Sequence, residues 1–247
     1  MNIPGAPQLG AFLNAPFRAP GGLDAAAADG GTASHQIDRL FAGLIAVFGF
    51  GLPTLVIGFD LLAPPHSVRG SLSEYYYSTT GDLFVGLLCA ITLFFVMYRG
   101  FHGKDAGTSM EFRISTAAGL SAMIVAFFPT GPPHATAVPL NLVQRASRYL
   151  VDTITPVEWI HYGSAGLFLT CLGAMSQKFS HEPNIGKWKT TQQVCTVLIS
   201  GAILFMVLFQ VPRGPRWDYS VLVGEIVSVA AFSTSWLARA RTQPAPR

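Results

Sequence analysis

The chain has 247 residues, of which 50% are apolar and 12% charged, about half the charged share of an ordinary globular domain. Sixteen Lys and Arg against 13 Asp and Glu leave a net charge of +3, and the basic residues stand in ones and twos at the edges of long apolar blocks. This excludes a nucleic-acid partner, which needs a basic face interleaved with aromatics, and makes a lipid bilayer the expected surroundings. Cys89, Cys171 and Cys195 all fall inside apolar blocks, so no disulfide framework is expected.

Residues 1 to 34 are rich in Gly, Ala and Pro and show no periodic apolar face, so burial offers nothing to offset their ordering entropy. A disordered cytoplasmic tail is expected over 1–38. It does not read as a signal peptide, because the first basic residue is Arg18 and no apolar stretch with a small-residue cleavage site follows. Six apolar blocks come next, near 40–62, 82–98, 113–129, 157–175, 190–211 and 219–238. Each approaches the ~20 residues that carry a helix across a bilayer core. Continuous apolarity at this length rules against the alternating ~10-residue strands of a membrane barrel. The expected fold is all-α, a polytopic membrane bundle of six transmembrane helices over 39–240, with a second cytoplasmic tail at 241–247. Gly86, Gly119, Gly163, Gly166, Gly201 and Gly224 are expected where helices approach closely.

Lys and Arg alternate in density between connections. The N-terminal tail, the 99–113 and 176–189 loops and the C-terminal tail hold eleven, and the opposite loops hold five. The positive-inside bias places both ends in the cytoplasm of a bacterial inner membrane.

On the outer side, the run Ser71 to Asp82 (SLSEYYYSTTGD) leads into the second helix. Tyr75, Tyr76 and Tyr77 suit an interfacial aromatic belt, Thr79 and Asp82 resemble a helix N-cap pair, and Glu74 has no such local role. Glu158 and His161 are three apart at the start of the fourth helix, with Tyr162 next, and are expected on one face. A His–Glu pair there suits proton shuttling or orientation of a substrate, and equally a histidine satisfied by a neighbouring helix. Glu225 lies about 10 Å into the sixth helix at ~1.5 Å per residue, and an intramembrane carboxylate needs a partner, a proton or a wet cavity. His161, at comparable depth, is its expected partner. Asp60 ends the first helix on the same side, where the helix dipole disfavours it. Together Asp60, Glu74, Asp82, Glu158, His161 and Glu225 describe an acidic, tyrosine-lined outer vestibule. No metal or cofactor motif is present. Two histidines at metal-ligand spacing occur on no helix, which leaves only His66 or His134 from outer loops as additional metal ligands.

The run SLSEYYYSTTGDLFVGLL, YRG at Tyr98 to Gly100, AFFPT at Ala126 to Thr130 and the last helix with Glu225 and STSWLARA resemble a group of uncharacterised bacterial six-helix integral membrane proteins. The resemblance covers most of residues 70 to 240 and implies the same architecture, with no activity to carry over. The acidic, Ser/Thr-rich segment before a helix is also similar to one in the alkaline ceramidase and progestin-receptor-like membrane hydrolases, whose HxxxH pair this chain lacks.

Three functional readings follow: a protein that binds a lipid, an amphiphile or a partner in the vestibule; a proton-coupled transporter or channel; and an intramembrane hydrolase using His161 and Glu225. The first is slightly favoured because no catalytic constellation is complete, so the sequence leans against an enzyme without deciding the point, and oligomer formation stays open. Topology is directly testable. Reporters fused at residue 20, in the 176–189 loop and at the C-terminus are expected to report cytoplasm, and a periplasmic C-terminus would overturn the helix count.

Overall fold

In a computed structural model the described residues are 23–64, 66–98, 109–130, 145–146, 149, 157–182, 185–210 and 219–242, with backbone alone at 23–38, 157–158, 210 and 242. Six long helices account for most of them. They are α1 (Leu23–Leu62), α2 (Gly81–Met97), α3 (Met110–Phe127), α4 (Val157–Ser180), α5 (Lys189–Gln210) and α6 (Ser220–Thr242), with short 3-10 turns at Ser73–Tyr77 and Gly186–Trp188. No strand occurs among the described residues.

Each helix falls on one of the six apolar blocks, because a continuous apolar run satisfies its backbone internally only as a helix. The largest departure is α1, whose backbone begins at Leu23, inside the stretch expected to be a tail. The LDAAAADGGTASHQ run lacks an apolar face, but its alanines carry the highest helix propensity, enough to extend a helix that is already nucleated.

Consecutive helices pack side by side, and α6 closes the ring by packing on α1. The last helix also touches α4, and it is the most enclosed of the span candidates. Phe95 of α2 sits at the centre, with ring centroids 6.2 Å from Phe168, 5.6 Å from Phe232 and 6.3 Å from Trp236. The opposite situation holds on α5, where Val194, Val197, Leu204, Val207 and Leu208 are all half or more exposed. A face this apolar is stable against lipid and costly against water. Four helical segments, Arg39–Leu62, Met110–Phe127, Gly186–Phe209 and Ser220–Arg241, are long and apolar enough to cross a membrane. By contrast α2 is one residue short of that length, and α4, with His161, Tyr162, Ser164 and Ser176 in its run, has the length without the apolarity.

The glycines divide into two sets. A Cβ on Gly119 would meet the Thr92 carbonyl at 3.1 Å and Phe95 Cβ at 3.1 Å, so α2 and α3 touch backbone to backbone there. Thr92 Oγ1 donates to the Gly119 carbonyl at 3.1 Å and Ser115 Oγ to that of Phe95 at 2.5 Å, as expected where small residues let polar groups reach across helices. Gly224 faces only the flexible Met206 side chain, and Gly86, Gly163, Gly166 and Gly201 have open space. The last four are therefore not close-packing sites, contrary to the sequence expectation. Gly119→Ala is expected to lower thermal stability in detergent by about 1–3 kcal/mol, the usual range for overpacking. Gly201→Ala, in contrast, is expected to be neutral or stabilising by up to ~1 kcal/mol through helix propensity. Equal effects in thermal melts of the two variants would contradict this packing.

Candidate functional site

The chain between α1 and α2 runs from 63 to 80, and its second half folds into the end of the bundle instead of across it. Ser73–Tyr77 form a 3-10 turn in which Tyr75, Tyr76 and Tyr77 are at most 1% exposed. These tyrosines are packing residues of the bundle interior and not an interfacial belt. Tyr75 OH accepts from the Arg69 backbone N–H at 3.2 Å, and Tyr77 OH donates to the Thr130 carbonyl at 2.8 Å. The FPT stretch after α3 is thereby tied to the tyrosine turn. Ser78 Oγ donates to the Tyr75 carbonyl at 2.8 Å and accepts from the Thr80 N–H at 3.1 Å, closing the turn against the start of α2.

Non-helical backbone inside a membrane bundle needs partners supplied by its surroundings. Two helices provide them. Glu225 of α6 accepts from the Leu72 N–H at 2.6 Å, and His161 of α4 places Nε2 3.0 Å from Ser73 Oγ. Glu225 and His161, expected to pair with each other, instead hold adjacent residues of one segment from opposite sides. The other His161 nitrogen, Nδ1, lies 2.6 Å from the Phe128 carbonyl. A carbonyl only accepts, so Nδ1 carries the proton, and in the neutral ring Nε2 accepts from the Ser73 hydroxyl. The segment is further fixed to α6 by the Leu222 N–H donating to the Gly70 carbonyl at 2.9 Å, and to itself by Glu74, whose carboxylate accepts from the Gly70 N–H at 3.0 Å.

Asp60 is fully buried near the end of α1, 3.5 Å from the Arg69 Nε and accepting from Thr79 Oγ1 at 3.0 Å. Arg69 supplies the positive charge that the helix C-terminus lacks, which explains a carboxylate there. Thr79 is thus engaged with Asp60, the N-cap of α2 is Thr80, whose hydroxyl bonds to Ser78 instead of capping the helix, and Asp82 is an exposed acid in the first turn of α2. The expected Thr79–Asp82 cap is not formed. His161 is 2% exposed while Tyr162 is 57% exposed, since neighbours on a helix point about 100° apart. They do not share a face as expected, although their rings meet edge-on at 5.8 Å. Glu158 is within α4, but its side chain lies outside the described residues, as does His134. His66, in the left-handed region at φ 54°, turns its Nδ1 to the Leu61 carbonyl at 2.8 Å. Among the described residues no three His, Cys, Asp or Glu side chains gather as a metal site would require.

A second polar cluster occupies the opposite end. Arg239 of α6 is fully buried, 2.5 Å from Glu182 Oε1 and 3.3 Å from Glu111 Oε2, and it donates to the Tyr98 hydroxyl. Its guanidinium carbon lies 3.9 Å from the centre of the Phe179 ring, so a planar cation is held by carboxylates at its edge and an aromatic on its face. One helical turn deeper, Gln192 donates to the Ser235 carbonyl at 2.8 Å and accepts from its hydroxyl. Sequence reasoning counted Arg239 as a flanking charge and missed this cluster. The signal was present in the spacing of Glu225, Ser228, Ser235 and Arg239, which all return to one side of α6.

Comparison with known proteins finds no matching family model, no similar curated protein and no similar solved structure. Function is therefore argued from the two clusters alone. Because Glu225 holds the Leu72 peptide N–H and His161 the hydroxyl of the next residue, Ser73, their contributions to stability are expected to be coupled. Glu225→Leu and His161→Leu should each cost about 1–3 kcal/mol by orphaning a buried donor or acceptor. The double variant should lose less than the sum, since the second latch holds a segment already freed, and Glu225→Gln should be milder because its amide oxygen still accepts from Leu72. Thermal melts in detergent measure this. Strictly additive losses would mean that the two residues do not hold a common element.

Proposed function

We propose that the chain is a six-span bacterial inner-membrane protein, both ends cytoplasmic, whose outer half binds a lipid or amphiphile beneath the 66–80 segment. One observation carries the reading: a long connection, wound into a single 3-10 turn around three buried tyrosines, is secured by a carboxylate and an imidazole from two other helices. A mere connector between neighbouring helices needs about 2–8 residues and no such anchors. An amphiphile whose headgroup offers an N–H or O–H competes with the Leu72 N–H for Glu225, and its chains then replace the tyrosines between the helices. On this reading Asp60 and Glu74 fix the shape of the segment, and Glu225 and His161 meet the ligand.

A second reading, an intramembrane hydrolase, is favoured by one contact. The Ser73 hydroxyl is bonded to His161 Nε2 while Nδ1 is fixed by a carbonyl, which is the arrangement in which a serine passes its proton to histidine as it attacks an acyl group. Proton-coupled transport draws support from the polar side chains of α6, where Ser228 has no hydrogen-bond partner among the described residues and stands between Glu225 and Ser235. Lipid mass spectrometry of the detergent-purified protein, with fluorophosphonate labelling beside it, separates binding from hydrolysis. The binding reading expects a defined amphiphile to copurify with the natural protein and to be reduced severalfold or lost in Glu225→Gln, with no labelling of Ser73 by a fluorophosphonate probe. The same lipid complement in both proteins would refute it. Labelling of Ser73 would establish the hydrolase in its place.

A further inference from the structure

The end of the bundle opposite the tyrosine segment carries an open surface groove of about 400 Å³ between the first and last helices, lined among the described residues by Arg39, Leu40, Ala240 and Arg241. Its chemistry is divided. Arg39 and Arg241 bring two cations, and neither forms an ion pair with a carboxylate among the described residues. Leu40 and Ala240 bring an apolar wall, with Leu40 62% exposed. Among the described residues, the carboxylates at this end that could neutralise arginine, Glu111 and Glu182, are both bound to Arg239. A second observation sets the depth of the groove. Arg241 lies 6.0 Å from the centre of the Trp188 ring, and Lys187 lies 5.5 Å from the same ring. A half-buried tryptophan flanked by cations marks the level of lipid headgroups, where an indole ring is stable and long basic side chains reach the phosphates.

We propose that this groove is a binding site for one anionic phospholipid, with the phosphate between Arg39 and Arg241 and the upper acyl chain along Leu40 and Ala240. Two arginines with no carboxylate partner among the described residues match the phosphate diester, whose oxygens accept the planar donor sets of both side chains. The apolar wall selects a lipid over a free anion, because inorganic phosphate has nothing to place against Leu40. The site joins the point on α1 where its apolar span begins to the end of α6, so an occupied groove closes the ring of helices at this end. It shares no residue with the outer-half site and stands or falls independently of the function proposed there.

Native mass spectrometry of the full-length protein in detergent, titrated with phosphatidylglycerol and with phosphatidylcholine of the same acyl chains, tests the site. The natural protein is expected to retain phosphatidylglycerol preferentially. Each arginine near a headgroup contributes roughly fivefold, so Arg39→Gln and Arg241→Gln should each weaken that retention about fivefold and the double variant more than tenfold. Phosphatidylcholine binding should not change, and Lys178→Gln, a basic residue at the same end but outside the groove, should keep the preference. A double variant with undiminished preference overturns the proposal, as does an equal loss in Lys178→Gln. Displacement of phosphatidylglycerol by excess inorganic phosphate would make the groove a free-anion site and overturn it as well.

Discussion

The bond from the Leu72 N–H to Glu225 is the constraint on which the rest of this structure depends. A peptide group inside a helical bundle has no water to fall back on, and leaving it unpaired costs about 1–3 kcal/mol. Glu225 meets that requirement from α6, while His161 of α4 holds the side-chain hydroxyl of the next residue, Ser73. Because the segment is held there, its tyrosines fill the space between helix ends, Tyr77 reaches the chain after α3, and Gly70 receives the start of α6. Three parts of the chain far apart in sequence, α4, α6 and the stretch after α3, are fixed by this one connection.

The two ends of α6 solve different electrostatic problems. At the tyrosine end the carboxylate of Glu225 meets a neutral peptide donor, so one proton or one competing donor suffices to change the contact. At the other end Arg239 is bound by two carboxylates, a hydroxyl and an aromatic face, a set with no cheap alternative. Breaking a buried pair of that kind costs about 3–5 kcal/mol. The bundle therefore has one adjustable end and one locked end. This asymmetry is what the proposed ligand-responsive role requires.

Much of the fold was legible in the sequence because the bilayer leaves few options. Six apolar blocks gave six helices, and the shortness of the second block reappears as the 17 residues of α2. Glu225, His161, Asp60 and Glu74 were legible as unusual for the same reason, since a polar group among apolar ones must be paid for. Their partners were not. Glu225 bonds to a backbone N–H, which every residue but proline carries, so no side chain advertises the contact. Asp60 was read by its position on the helix, whereas its partner Arg69 was counted only as a loop charge. The Arg239 cluster was missed because a basic residue in the last turn of a membrane helix looks the same whether it faces headgroups or turns inward onto Glu111. Spacing along α6 distinguishes the two only when its polar residues are read together.

Hydrogen–deuterium exchange of the 66–80 segment tests the central claim most directly. If Glu225 pins this backbone, the peptide containing Leu72 should exchange slowly in the natural protein and at least about tenfold faster in Glu225→Leu, a change of ~1.4 kcal/mol in the opening equilibrium. Peptides from α5 should be unaffected. Equal protection of the Leu72 peptide in both proteins would contradict the account.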